Sequence, residues 1–296
     1  MVFNEQEIVT ADHIQKAVAA LKAERPAYAE FLDFYGKLFL AQETAKRQTH
    51  IEPIQIADEL LSIKRRDAFP LIERTGFSID VEASQALLKN LCSMAAETNE
   101  VLAQVGVRVL EALDKGMLQA PTLFQEILRE EGGSFEEVAQ ELDVDEKILA
   151  FLTYSSIRPS LSLSAEQLAT YLNKETPWQK GYCPVCGGLP SLSILRDEGK
   201  RFLLCSFCGH EWETRRIYCP FCDNQDHRQL RYFFSEEEKN YRVDVCDACK
   251  KYLKGIDTRQ IKHPVYLLME QVSTLHLDVL AQEQGFESGS PLWLRI

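Results

Sequence analysis

The chain has 296 residues, is 45% hydrophobic and 26% charged, and carries a formal charge of −12. That is the balance of a soluble globular protein with one large core or two smaller ones. No apolar run reaches the roughly 20 residues of a membrane helix, so no direct membrane insertion is expected. The opening Met1-Val-Phe-Asn-Glu-Gln-Glu lacks the basic and apolar regions of a secretory signal. The expected compartment is cytoplasmic, where thiols stay reduced.

Residues 1–177 read as a multi-helical N-terminal domain. Tyr28, Phe31, Leu32, Tyr35, Leu38 and Phe39 recur at helical spacing, with Pro26 suited to the first turn. A shorter helix covers Ile54 to Lys64 and closes before Pro70. A long one starts near Val81, carries Leu87, Leu88, Leu91, Cys92 and Ala95 on one side, and continues to Leu113, with Gly116 as a stop. Pro121 opens another. Ser134–Glu137, Ser164–Gln167 and Asp143 with Glu146 fit capping boxes. Thr176-Pro177-Trp178 marks a boundary, after which cysteine, glycine and aromatic residues replace the Ala/Leu/Glu pattern. After Gly255 one C-terminal helix is expected within 261–296, with Val265, Leu268, Met269, Val272, Leu275 and Val279 on one face and Gly285 past its end.

Between these lie eight of the nine cysteines, as four Cys-x-x-Cys pairs: Cys183/Cys186, Cys205/Cys208, Cys219/Cys222 and Cys246/Cys249. Two such turns facing each other make a tetrahedral four-thiolate site. Pro184 and Pro220 stiffen their turns. Gly187 and Gly209 permit the positive φ that aims backbone N–H groups at sulfur; Asn224 tolerates a similar backbone, and Lys250 is less suited. Tyr182-Cys-Pro-Val-Cys186 recurs as Tyr218-Cys-Pro-Phe-Cys222, each copy followed by strand-like residues and a second pair. The expectation is two tandem ribbons, 178–217 and 218–260, each hairpin-like with one metal. Sequential pairing is favoured, and interleaved pairing stays open. Zinc and iron both accept four thiolates. The sites are read as structural clamps, with a redox metal as the rival.

Other candidates are bland. Cys92 reads as a small buried hydrophobe; His210 and His227 as surface residues or neighbours of a complete site; His263 as structural; Glu236-Glu237-Glu238 as a solvated turn. Lys250, Lys251 and Lys254 read as a solvated face. His13, His50 and His276 are scattered. No phosphate-binding glycine loop, nucleophile elbow or His-Glu-x-x-His motif occurs, and no enzyme activity is expected. Residues 1–180 carry 18 Lys+Arg against 29 Asp+Glu, and residues 181–260 carry 13 against 12. Eight thiolates with two divalent ions would take the second region to about −3. No nucleic-acid partner is expected, although Arg201, Arg215, Arg216, Arg228, Arg231 and Arg242 keep a nucleic-acid-binding zinc ribbon as an alternative. A rubredoxin-like electron carrier is the other, for which a large helical domain is unnecessary.

The segments Cys183-Pro-Val-Cys-Gly-Gly-Leu-Pro190, Leu204-Cys-Ser-Phe-Cys-Gly-His-Glu-Trp212, Cys219-Pro-Phe-Cys222 and Val245-Cys-Asp-Ala-Cys-Lys-Lys-Tyr-Leu-Lys254 together resemble the FdhE family of formate dehydrogenase accessory proteins. Arg158-Pro159 and Leu275-His-Leu-Asp-Val-Leu-Ala281 with Gly285 add to the resemblance, which covers about Ile157 to Gly285. It implies a non-catalytic cytoplasmic maturation protein or chaperone that acts on the catalytic (alpha) subunit of formate dehydrogenase. It also implies iron in rubredoxin-like sites, with zinc as the alternative. A homo-oligomer is allowed. Val265-Tyr-Leu-Leu268 departs from the acidic residues associated with the family at that position, which puts client contact by that segment in question.

Overall fold

A computed structural model describes residues 9–129, 133–173, 178–235 and 238–290, with 133 and 134 by backbone only. Eight helices come first: α1 (Ala11–Glu24), α2 (Ala29–Lys46), α3 (Asp58–Asp67), α4 (Val81–Ala96), α5 (Glu100–Asp114), α6 (Ala120–Arg129), α7 (Gly133–Leu142) and α8 (Glu146–Ala169). The Ser134 cap, the Thr176-Pro177 boundary, Glu236-Glu237 and residues 1–8 lie outside the described side chains. Among the described residues no helix is long and apolar enough to cross a membrane.

Several helix boundaries correct the sequence reading. Pro26 opens a 3-10 turn, Pro26–Tyr28, and α2 starts at Ala29. The helix expected from Val81 to Leu113 breaks at Asn99, whose side chain accepts from the Leu102 N–H at 3.0 Å and caps α5. Asp145, not Asp143, caps α8 by accepting from the Ile148 N–H at 3.0 Å, while Asp143 sits at φ +48°. Ser164 caps nothing: it is buried inside α8. Local cap chemistry there loses to burial of one 24-residue helix at the centre of the bundle.

Helix α8 packs against α2, α4, α6 and α7, and small residues Ser155, Ser156 and Ser160 on it are buried. Pro159 lies inside it. A proline has no N–H for the carbonyl four residues back, here that of Ser155. The buried Gln42 of α2 supplies the missing donor, its amide nitrogen lying 2.7 Å from the Ser155 oxygen.

The sheet follows: β1 (Pro190–Arg196), β2 (Lys200–Cys205), β3 (Glu211–Thr214), β4 (Leu230–Phe233), β5 (Tyr241–Cys246) and β6 (Lys251–Asp257). Then come α9 (Leu267–Ser273), α10 (Leu275–Glu283) and β7 (Glu287–Ser288). Each ribbon is a three-stranded antiparallel unit. The two units fuse through parallel pairing of β1 with β6, in the register Ser193↔Gly255, Ile194↔Ile256 and Leu195↔Asp257. The result is one sheet in the order β3-β2-β1-β6-β5-β4, with β7 on β6.

The single C-terminal helix expected from sequence is two, divided at Thr274. They cover one face of the second ribbon. Lys254, read as solvated, is 2% exposed, pairs with Asp278 at 2.8 Å and donates to the Gln271 carbonyl at 2.6 Å. Tyr252 donates to the same carboxylate at 2.8 Å, so the buried charges are matched and hydrogen-bonded. The segment Val265–Leu268 turns inward: Tyr266 packs edge-on against Phe39 of α2, and Leu268 is buried.

Candidate metal centre

Each Cys-x-x-Cys pair sits on a tight turn beside a strand end. The amides of Gly187, Asp223 and Lys250 each donate at 2.9 Å to the carbonyl of the first cysteine of their pair. The residue after each second cysteine is left-handed: Gly187 at φ +73°, Gly209 at +74°, Asp223 at +56° and Lys250 at +58°. The geometry expected of the two glycines is present, and Lys250, thought ill-suited, adopts it as well. In the third turn the positive φ falls on Asp223 rather than Asn224.

The cysteines group sequentially. Cys183, Cys186, Cys205 and Cys208 form one cluster and Cys219, Cys222, Cys246 and Cys249 the other, with the sulfurs of each set within 4.8 Å of one another. In the first, Sγ–Sγ separations are 3.7 Å (Cys183–Cys208), 3.6 Å (Cys186–Cys205) and 3.5 Å (Cys186–Cys208). In the second they are 3.6 Å (Cys219–Cys249) and 3.7 Å (Cys222–Cys246). A tetrahedron with metal–sulfur bonds of roughly 2.3 Å has edges of about 3.8 Å. Disulfide sulfurs would lie roughly 2 Å apart. Both sets therefore fit a four-thiolate metal.

The first cluster is fully enclosed, with all four cysteines buried. The Leu71 and Ile72 amides donate to the carbonyls of Pro184 and Val185 at 2.9 and 3.0 Å. The Tyr154 hydroxyl of α8 reaches the carbonyls of Ser206 and Phe207 at 3.1 and 2.7 Å. The Arg74 guanidinium stacks 4.5 Å from the Phe207 ring centre. The helical domain thus grips both turns of this cluster. Burial raises the Cys183 and Cys208 thiols. Cys205 falls well below the usual thiol value: burial opposes this, but hydrogen bonds from its neighbours' thiols and the Cys208 amide prevail. One thiolate shared among thiols is the pattern a cation would replace.

The second cluster is open, with Cys222 exposed and Cys249 half-buried. The Asn224 amide approaches Cys246 Sγ at 3.7 Å. Cys246 is lowered to about 7; burial opposes this, while the Cys249 amide and Asn224 outweigh it.

Neither His210 nor His227 makes a described hydrogen bond to sulfur. The His210 carbonyl accepts from the Cys205 amide at 2.9 Å, and burial pushes its imidazole down to about 4. His227 is exposed. Cys92 is buried, and burial pushes its thiol up to about 12. Sequence reasoning missed Tyr154, the Leu71–Ile72 strap and the sulfur contact of Asn224. None has a local signal, because each acts across 20 or more residues of chain.

Residues 182–216 match the model of the FdhE central domain and 217–294 that of the FdhE C-terminal domain. Over these residues the chain resembles the FdhE family. An FdhE homolog of Aquifex aeolicus is 37% identical over 147 residues, 48% of this chain and 50% of that protein. The chain spans about half the length of the first curated FdhE relatives it matches. An FdhE homolog of Proteus mirabilis is 27% identical over 92% of this chain and 83% of its own length. The crystal structure of the FdhE protein from Pseudomonas aeruginosa aligns with a TM-score of 0.71 at 21% identity, covering 98% of this chain and 97% of that one. That likeness extends the shared fold through the helical domain. Residues 182–294 thus form FdhE-type central and C-terminal domains that carry two four-cysteine clusters able to hold a metal.

Proposed function

We propose that this protein is a cytoplasmic accessory factor in formate dehydrogenase maturation, binding that enzyme's catalytic subunit, with iron in both clusters and zinc as the alternative. One observation carries the reading: two convergent four-thiolate clusters are mounted on a single sheet whose residues match the FdhE central and C-terminal domains. Cys183, Cys186, Cys205 and Cys208 hold one ion, and Cys219, Cys222, Cys246 and Cys249 the other. A bound metal cross-links the turns, and iron additionally supplies a one-electron change in site charge. The residues around the first cluster exclude water and fix its shape. Those around the second leave Cys222 facing solvent, where a partner can reach it.

Affinity capture with the catalytic subunit of formate dehydrogenase tests the reading under both oxidising and reducing conditions. Enrichment in either supports it, and none in both overturns it. Metal analysis with an absorption spectrum of anaerobically purified protein decides the metal. Exposure of Cys222 also favours a second reading, electron transfer through the second cluster; reversible bleaching by dithionite would support it, and a colourless protein would remove it.

A further inference from the structure

The second ribbon has two unlike faces. Tyr241 and Tyr252 point to α9 and α10, hydrogen-bonding Glu270 and Asp278. Residues alternate across a strand, so Arg242, Asp244 and Leu253 point the other way. There they floor a cavity of about 340 Å³, walled by the segment from Arg216 to Phe221 and by Tyr232 of β4. Only Cys219 and Cys246 of the second cluster line it, so it lies beside the metal site and not at its centre.

The lining is cationic and aromatic, on a chain of net charge −12. Five cations, Arg201, Arg216, Arg231, Arg242 and Lys251, line the cavity with one carboxylate, Asp244. Arg201 and Arg242 share that carboxylate at 3.3 and 2.8 Å, and Arg231 is held by Asp247 at 2.6 Å. Arg216 and Lys251 have no carboxylate partner among the described residues. The described side-chain hydrogen bond to this cluster from outside it comes from Asn224, so these cations are not bound to its sulfurs. Two apolar side chains of the wall are uncovered, Ile217 at 63% and Tyr232 at 59% exposed, while Tyr218, Val245 and Leu253 are buried. Lys251 lies 5.9 Å from the Phe221 ring centre and Arg242 5.1 Å from that of Tyr232. Of these two, Lys251 has no carboxylate partner among the described residues, so spare positive charge adjoins the Phe221 ring.

We propose that this cavity binds a small organic anion built on an aromatic ring, its charge taken by Arg216 and Lys251 and its ring lying against Tyr232 and Phe221. The volume falls at the small-molecule end of binding sites. The acidity of the whole chain disfavours a polyanion such as nucleic acid, whose charge would extend beyond the cavity. The anionic group is a phosphate or a carboxylate, and the test separates them. The proposal stands apart from client binding.

The metal-loaded full chain is titrated calorimetrically with phenyl phosphate, adenosine monophosphate and 3-phenylpropionate, and with inorganic phosphate and adenosine as controls. At least one aromatic anion is expected to saturate at one site with Kd below about 1 mM, tenfold or more tighter than both controls and weaker in high salt. Phosphate- or carboxylate-bearing probes binding alone identify the anionic group. The double variant Arg216→Gln/Lys251→Gln, and separately Tyr232→Ala, should weaken binding at least tenfold with metal content and Tm of the free protein unchanged. These side chains are exposed or half-buried, and the two variants act on different parts of the ligand, so a misfolded variant leaves the other to decide. No aromatic anion binding below about 1 mM, controls binding as tightly, or undiminished binding in folded variants would overturn the proposal. So would binding confined to acidic polypeptides, which would make the cavity a protein interface.

Discussion

The two clusters come from one repeated sequence pattern and use the same left-handed turn, yet they live in different surroundings. Around the first, α8 and the strap before α4 close in until the Pro70 ring lies 3.1 Å from where a Cβ on Gly187 would stand, and an Arg158 nitrogen 3.3 Å from the same point on Gly209. Around the second, Asp223 and Lys250 occupy the equivalent positions, and both are exposed. The backbone demand is common; the space is not. Glycine at the first cluster answers a neighbour as well as a dihedral angle, and the second accepts the dihedral cost because its side chains have water to enter. The same contrast would give bound metals different work: one in the first cluster would brace turns that the helical domain grips, and one in the second would meet solvent.

The sharpest way to break this comparison is to remove one ligand from each cluster. Cys208→Ser should lose the first metal and unfold the junction, since structural four-thiolate sites contribute on the order of 10 kcal/mol. Cys222→Ser should lose or weaken only the second metal, with the helical domain and first ribbon intact. Metal content and thermal unfolding of the two variants check this, and equal losses would erase the distinction. Tyr154→Phe comes next. It strips the hydroxyl from the buried Ser206 and Phe207 carbonyls and should cost about 1–3 kcal/mol in denaturant unfolding, with metal affinity at the second cluster unchanged.

Smaller and opposite effects are expected at the turns. Gly187→Ala should destabilise by about 1–2 kcal/mol, through φ +73° and the nearby Pro70 ring. Asp223→Gly should change stability by less than about 1 kcal/mol and in the favourable direction, since the Asp223 side chain, paired with Arg215, is 68% exposed. The smallest effect separates the two ribbons' ties to the helices. The first is held by neutral hydrogen bonds and the Arg74–Phe207 stack; the second is held by Arg25, which pairs with Glu238 at 2.8 Å, and through His263, which bridges Glu270 at 3.0 Å and Glu24 at 3.3 Å. The Glu270 hydrogen bond raises the folded His263 pKa against the opposing effect of burial. Its contribution is therefore fully present below the unfolded value of about 6.5 and is lost as pH rises through the folded value. His263→Ala should cost more stability at pH 5.5 than at pH 8.5. A pH-independent cost would refute the charged bridge.

What the sequence disclosed follows from how far each signal reaches along the chain. Cys-x-x-Cys spacing, the Tyr-Cys-Pro repeat and the glycine positions act within a few residues, so the clustering of Cys183–Cys208 and Cys219–Cys249 could be anticipated from them. The helical character of the first domain was equally plain from its apolar period. The break at Asn99 was hidden because the apolar stripe resumes beyond it. The Ser164 motif misled because burial of α8 overrides a local cap. Fusion of the ribbons, burial of Lys254 and the Tyr154 tie each need a partner distant in the chain: Gly255 for Ser193, Asp278 for Lys254, Phe207 for Tyr154.

The parallel seam also bears on the order in which the molecule assembles. Within each ribbon the strands that pair are chain neighbours, as in β1 with β2 and β5 with β6. The seam joins Ser193 to Gly255, and nothing can hold it until both ribbons exist. Closing long loops slows folding, so the two ribbons are expected to form first as separate metal-loaded halves and zip together last. In pulsed hydrogen exchange during refolding, amides between β1 and β2 and between β5 and β6 should gain protection before those shared by β1 and β6.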